Sequence, residues 1–283
     1  MQVLRTVSEI RHAVSAARKS GKRIGFVPTM GNLHDGHLQL VKQAHTTCDV
    51  VVVSIFVNPL QFGLNEDWEQ YPRTFDDDCR KLESVNTDFL FHPTETEMYP
   101  NGMATQTKVE VAVMTNILCG ASRPGHFLGV TTVVAKLFNM VLPDEAVFGI
   151  KDYQQLAVIR RMAEDLCIPI QITAAPIARA DDGLALSSRN SYLTATERPI
   201  ATHLYKTLCW AKDQISQGHR DYATIESEAK NKLKTAGMRP DYVSVIQQKT
   251  LEPATPGDTA IAILAAVYLG KTRLIDNVTL LTS

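Results

Sequence analysis

The apolar residues of this chain fall in short unbroken runs separated by segments of helical period. Residues 50–57 (Val-Val-Val-Val-Ser-Ile-Phe-Val) are continuous and largely β-branched, and Asn58-Pro59 stops them. Such a run suits a strand covered on both faces, as in a parallel sheet. Residues 23–27 form a shorter run that Pro28 ends. Between the two, residues 34–47 carry Leu38, Leu40, Val41 and Ala44 at helical spacing. Strand, helix and strand within about 35 residues make a βαβ unit. The alternation continues, with helices predicted over 76–84, 130–142 and 153–166 and strands over 88–91, 146–148 and 168–173. This predicts an α/β doubly wound parallel sheet over residues 1–176. The texture then changes. Residues 197–236 read as mostly helical, and 242–246 and 261–269 as strands, so residues 177–283 are expected to form a smaller α+β domain, joined near 176–182.

At the start, Val3, Leu4, Val7, Ile10 and Val14 read as an ordinary first helix, with an Arg-bearing transit peptide as the other reading. No continuous apolar core marks a signal peptide there. The longest apolar run, Ala260 to Leu269, is half of what a bilayer span requires. No membrane partner is expected.

Composition narrows the class further. Hydrophobic residues make up 45% of the 283, which is enough for a sizeable core and excludes general disorder. Lys+Arg is 29 against 30 Asp+Glu, so the basic surplus of a general nucleic-acid binder is missing. Cys48, Cys79, Cys119, Cys167 and Cys209 are odd in number and contain no CxxC pair. That fits neither a disulfide framework nor a zinc ribbon, and points to reduced thiols in a cytoplasmic protein.

Six segments carry candidate chemistry. The first, Pro28-Thr29-Met30-Gly31-Asn32-Leu33-His34-Asp35-Gly36-His37, joins the first strand to the first helix, where open α/β folds bind ligands. Gly31-x4-Gly36 imitates a P-loop, but His37 and Leu38 stand at the Lys and Ser/Thr positions, which rejects that reading. What remains is two imidazoles three residues apart at a helix start. Free N–H groups and the dipole there attract anions, and both rings can face a triphosphate. The second segment places Asn58 and Gln61 after the next strand, as uncharged donors and acceptors for a hydroxy acid or amide, or as a plain strand-ending turn. In the third, Asp76-Asp77-Asp78 offers either a Mg²⁺ site, with Asp78 as ligand, or a solvated helix start.

The fourth, Ser122-Arg123-Pro124-Gly125-His126-Phe127, offers Arg123 for phosphate and His126 for substrate, or a loop shaped by Pro-Gly. In the fifth, Gly149 permits close approach, Lys151 is a compact cation and Gln155 follows one turn later. A solvated Lys151-Asp152 pair is the alternative. The sixth runs from Arg179 to Asn190 and holds Ser187-Ser188-Arg189, either a mobile phosphate clamp or a polar linker.

Taken in order, PTMGNLHDGH, SIFVNPLQF, YPRT, SRPGHF, GIKDYQQ and LALSSRN resemble the pantothenate synthetase family, the pantoate–β-alanine ligases, within the wider HxGH nucleotidyltransferases. The resemblance covers essentially the whole chain. It implies a Rossmann-like N-terminal domain, a C-terminal lid and a homodimer formed through the N-terminal domain. It also implies a two-step reaction. ATP and (R)-pantoate with Mg²⁺ give pantoyl adenylate and pyrophosphate, and β-alanine then attacks to give pantothenate and AMP.

Carried onto this sequence, the family's ATP contacts fall on Met30, Gly31, Asn32, Leu33, His34, Asp35, Gly36 and His37. They continue at Gly149, Ile150, Lys151, Asp152, Ala178, Leu186, Ser187, Ser188 and Arg189. Pantoate falls on Gln61 and Gln155, with β-alanine also near Gln61, and His37 matches the proton donor. His34, Lys151, Ser187, Ser188 and Arg189 join it as the groups that can neutralise the departing pyrophosphate. Two positions depart from the family pattern: Ile150 where many relatives have Glu, and Leu128 where Arg is frequent.

Overall fold

The computed structural model describes residues 1–63, 66 and 68–282. Six strands, β1 (Gln2–Leu4), β2 (Ile24–Thr29), β3 (Val50–Ile55), β4 (Phe89–Phe91), β5 (Glu145–Gly149) and β6 (Gln171–Ala175), form one sheet in the order β1-β4-β3-β2-β5-β6. Every pairing in it is parallel. The helices between them are α1 (Val7–Lys19), α2 (Asp35–Ala44), α3 (Phe75–Ser84), the short α4 (Glu95–Met98) and α5 (Cys119–Ser122), α6 (His126–Val141) and α7 (Tyr153–Asp165). β3 is buried at every position, which is why its sequence shows no alternation.

The chain leaves β2 toward β3 on one side and returns to β5 on the other, so strand order reverses at β2. Ligands of open α/β sheets bind beyond the carboxyl ends of strands at such a switch point. Both the β2–α2 turn and Gly149 lie at that edge.

One face of the sheet packs Val27, Val51, Val53 and Val147 against Leu40, Val41 and Ala44 of α2 and Leu82 of α3. Elsewhere in the sheet, Phe26 and Phe148 each meet Phe138 of α6 edge-on, with ring centroids 6.4 Å apart.

Two expectations need correction. Residues 2–4 are not the start of the first helix. They form β1 at the sheet edge, paired with Phe89–Phe91. The helix begins at Val7, because Thr6 and Glu9 make a capping box: Thr6 Oγ1 accepts from the Glu9 amide at 3.2 Å and Glu9 Oε2 from the Thr6 amide at 2.9 Å. α6 starts four residues earlier than its apolar periodicity suggests, with Gly125 at φ +81° as its N-cap. His126 is therefore a helix residue.

Gly129 then lets α6 approach the 3-10 turn Pro59–Gln61. A Cβ on Gly129 would lie 2.2 Å from the Leu60 carbonyl oxygen.

Contacts divide the chain into two compact units, Met1–Ile150 with Val158–Pro176, and Lys151–Ala157 with Ile177–Ser283. The first turn of α7 thus groups with the second unit. That unit adds α8 (Glu197–Ala201), α9 (His203–Ser216), α10 (Tyr222–Thr235) and an antiparallel sheet of β7 (Arg239–Gln247), β8 (Ala260–Leu269) and β9 (Thr272–Leu281), in the order β7-β8-β9.

Ile261, Ile263, Ala265 and Val267 of β8 pack with Leu204, Leu208 and Ala211 of α9 and Ile225 and Ala229 of α10. β9 has no counterpart among the elements expected from sequence. All five cysteines are unbridged. Among the described residues, no helix is long and apolar enough to cross a membrane.

Candidate active site

The turn after β2 is held by its own side chains. His34 is the N-cap of α2, and its Nδ1 accepts the Gly36 amide proton at 3.1 Å. His37 reaches back, and its Nδ1 accepts from the His34 amide at 3.3 Å. This is a capping box built from two imidazoles, with ring centroids 4.1 Å apart. A neutral imidazole that accepts at Nδ1 carries its proton on Nε2. In the neutral state the proton of each ring therefore sits on Nε2.

The expectation of free amides at this helix start is corrected here. The Gly36 and His34 amides are taken by the rings, and the His37 amide by the His34 carbonyl. The helix dipole remains, and the two imidazoles stand beside it.

Asp78 holds the same turn from α3. It is almost fully buried, and its two oxygens accept the amides of Asn32 at 2.9 Å and Leu33 at 2.7 Å. Thr74 Oγ1 donates to it as well, at 3.2 Å. Gly31 (φ +83°) passes so close that a Cβ there would lie 3.1 Å from Asp78 Oδ2. These bonds use the carboxylate as a loop anchor and do not fit a metal ligand. Asp76 and Asp77 flank it at the exposed start of α3, and Asp77 pairs with Lys81. Among the described residues, no group of three His, Cys, Asp or Glu side chains could hold a metal ion.

Gln61 and Asn58 come together in the turn after β3. Asn58 is buried, and its Nδ2 donates to Gln61 Oε1 at 3.2 Å and to the Gly129 carbonyl at 3.1 Å. Its Oδ1 accepts from the Tyr99 hydroxyl at 2.7 Å. Burial pushes the Tyr99 hydroxyl well above its ordinary range, which keeps it a donor. With Oε1 engaged, Gln61 donates from Nε2 to Met30 Sδ at 3.0 Å. Asn58 thus orients Gln61 and has no polar atom left for a substrate.

Arg123 is likewise committed. Its Nε donates to Glu66 at 2.6 Å in a two-pronged pair, and its Nη1 lies 3.0 Å from His126 Nε2. His126 Nδ1 donates to the Gln61 carbonyl at 2.8 Å, so its Nε2 is the acceptor for Arg123. Burial pushes the Glu66 carboxyl up, but the bonds and charge of Arg123 outweigh it and hold Glu66 below the usual carboxylate value. Arg123 and His126 therefore support the backbone of Gln61 rather than standing open to an anion.

In the second unit, Lys151 lies 3.5 Å from Asp152, and its side chain is 20% exposed, so it can still reach a ligand. Gln155 follows one turn later on α7, half-buried. Residues 178–186 form a small hairpin in which the Leu186 amide donates to the Ala178 carbonyl and Arg179 pairs with Ala185. Ser187 caps the 3-10 turn Ser188–Tyr192, its Oγ accepting from the Arg189 amide.

A parallel sheet with an HxGH turn at its switch point defines an α/β enzyme of the nucleotidyltransferase class. The family model described as pantoate-beta-alanine ligase matches residues 2–279. The chain is 61% identical over 280 residues to the pantothenate synthetase of Saccharophagus degradans, covering 99% of both chains. It is 61% identical over 278 residues to that of Cellvibrio japonicus, covering 98% of both.

Among solved structures, the pantothenate synthetase of Thermus thermophilus superposes with a TM-score of 0.91 at 43% identity, covering 98% of this chain and 99% of that one. The pantoate-beta-alanine ligase of Francisella tularensis, complexed with an ATP species and β-alanine, gives 0.83 at 37% identity, covering 98% and 97%. The chain belongs to the pantoate–β-alanine ligase family.

Proposed function

We propose that this chain condenses (R)-pantoate with β-alanine at the expense of ATP, through a pantoyl adenylate. The reciprocal His34–His37 cap, which fixes two imidazoles in the turn at the switch point of the sheet, carries the reading. A carboxylate and an amine do not condense in water because hydroxide is a poor leaving group, and adenylation replaces it with AMP. In the first step the pantoate carboxylate attacks the α-phosphorus and charge builds on the departing pyrophosphate.

In this reading His34, His37 and Lys151 meet that charge, and donors aimed at developing charge are a large source of catalysis. Met30 to His37, Gly149 to Asp152, Ala178 and Leu186 to Arg189 bind ATP in this reading. Gln61 and Gln155 bind pantoate, and Asn58, Arg123 and His126 hold Gln61 in place. β-Alanine then attacks the mixed anhydride near Gln61, releasing AMP. No covalent enzyme intermediate is required, so positioning and charge suffice.

Mg²⁺ is assigned no ligand on this chain and accompanies ATP through its phosphates. Residues 177–283 as a lid, a homodimer through the N-terminal domain and a cytoplasmic location belong to the same proposal.

The test is to mix the protein with ATP, Mg²⁺ and pantoate and to follow pyrophosphate and AMP with and without β-alanine. Sustained release of both that requires β-alanine supports the ligase. Release indifferent to β-alanine would point to a nucleotidyltransferase acting on another small acid.

A further inference from the structure

Asp276 and Asn277 sit side by side on β9, almost fully buried, in a strand whose other buried residues are Thr272, Leu274 and Leu280. Alternation along a strand sends neighbours to opposite faces. Asp276 shares its face with Leu274 and Val278, which pack into the helix-covered core, and Asn277 takes the other. The Asp276 carboxylate accepts both prongs of Arg179, Nη1 at 2.7 Å and Nη2 at 2.9 Å, and the Asn277 amide at 2.8 Å. Arg179 also donates to the Gly183 carbonyl at 3.0 Å and lies over the Tyr205 ring at 3.6 Å, which fixes the hairpin that leads into Ser187-Ser188-Arg189. On the opposite face, Asn277 Nδ2 donates to the Lys151 carbonyl at 2.9 Å. The 3-10 turn that carries Arg189 packs on β9 as well.

One dipeptide therefore grips two segments that sequence alone keeps 27 residues apart at their nearest ends, Lys151 and Ala178. Stability is a weak reason to keep such a pair. Well-packed apolar residues replace buried ion pairs at little cost or with a gain. Geometry is the better reason. Lys151 and the Ser187–Arg189 turn are the cationic and hydroxyl groups offered to phosphate in this unit, and a phosphate contact is sensitive to displacements of about 1 Å.

We propose that Asp276 and Asn277 are positioning residues that hold Lys151 and the Ala178–Arg189 segment in register for the triphosphate of ATP. The inference rests on the reading of Lys151 and Ser187–Arg189 as ATP contacts.

A double-mutant cycle tests it. Asn277→Ala and Asn277→Leu remove the bond to the Lys151 carbonyl, the second with little change of volume. Each is expected to lower kcat/KM for ATP about tenfold, the equivalent of one hydrogen bond. Attack of β-alanine on supplied pantoyl adenylate is expected to keep its rate, which a general structural defect would not allow. In a Lys151→Ala background the Asn277→Leu loss is expected to vanish, because the residue acts through Lys151.

Full additivity of the two losses, or an equal loss in both half-reactions, would overturn the proposal. If Lys151→Ala leaves kcat/KM for ATP unchanged, the ATP assignment of Lys151 is wrong and the inference falls with it. Intact Lys151 dependence without an Asn277 effect overturns the inference alone. Should circular dichroism show both Asn277 variants unfolded, Arg179→Lys keeps the charge opposite Asp276 and removes the fork. It is expected to lower kcat/KM for ATP about tenfold, and an unchanged value would overturn the proposal.

Discussion

His34 and His37 cap one another: each Nδ1 accepts a backbone amide of the turn, and the rings lie 4.1 Å apart. While Nδ1 accepts, the proton of a neutral ring sits on Nε2. Nitrogen-15 NMR is expected to show unprotonated Nδ1 and protonated Nε2 on both residues, and a protonated Nδ1 on either would refute the assignment. His37→Ala is expected to lower kcat and kcat/KM for adenylate formation together by about 10²–10³-fold, the scale of one lost transition-state donor. A change confined to KM would show that the donor acts in binding only.

Gln61 is oriented by Asn58, whose Nδ2 donates to its Oε1, and by Met30, whose Sδ accepts from its Nε2. Gln61→Ala is expected to weaken pantoate about 10–100-fold and ATP much less, on the scale of one or two hydrogen bonds. Calorimetry with each ligand checks this, and an unchanged pantoate affinity would remove Gln61 from the substrate site.

Asp78 is bonded to two amides of the turn after β2. Asp78→Ala removes the shared acceptor of both amides, that of Leu33 being buried. Hydrogen bonds to a charged acceptor contribute about 1.5–3 kcal/mol each, so a loss of about 3 kcal/mol in unfolding free energy is expected. Because the role is structural, the Mg²⁺ concentration giving half-maximal rate is expected to stay the same. A shift in that concentration with unchanged stability would restore Asp78 as a metal ligand.

Gly129 touches no proposed substrate group, yet Ala there would drive a methyl against the Leu60 carbonyl. Overpacking of this kind costs about 1–3 kcal/mol. The backbone that must move carries Gln61, so Gly129→Ala is expected to raise KM for pantoate more than KM for ATP. Steady-state kinetics would show it, and equal changes in both constants would break the link between α6 and Gln61.

His92 supplies a pH dependence. Burial lowers its pKa below the ordinary 6.5, although the bond from Nδ1 to the Ile55 carbonyl works the other way. The ring also stacks on Phe75 at 4.6 Å. Below pH 6.5 the unfolded chain gains a proton that the folded chain resists. The contribution of His92 is therefore constant above about 6.5, becomes destabilising as pH falls toward the folded pKa, and levels off below it. Urea unfolding at about pH 7.5 and about pH 5.5 is expected to show a drop that His92→Gln reduces. An identical drop in the variant would assign the effect to other groups.

The sheet is readable where burial is complete on both faces, as in Val50–Ile55. β1 is not, because three residues at an edge owe their form to Phe89–Phe91 and not to their own pattern. β9 is hidden for a related reason. Asp276-Asn277 breaks the apolar run, and its partners Arg179 and Lys151 lie far away in sequence.

At the site, HxGH and the turn that carries Gln61 stand out because their residue types are unusual for a strand end. The commitment of Arg123 to Glu66, and of Asp78 to two amides, has no signature in the sequence. A charged side chain looks the same there whether it faces a ligand or the protein's own backbone.

A cradle of main-chain amides would bind phosphate alike in acid and in base, whereas the proposed reading gives this turn two imidazoles for the task. Each ring is also a latch, since its Nδ1 keeps a backbone amide in place. A proton placed on either Nδ1 adds charge for the nucleotide and at the same moment expels that amide. A ring nitrogen that holds an amide cannot also carry a proton, so charge and order at this turn cannot be raised together.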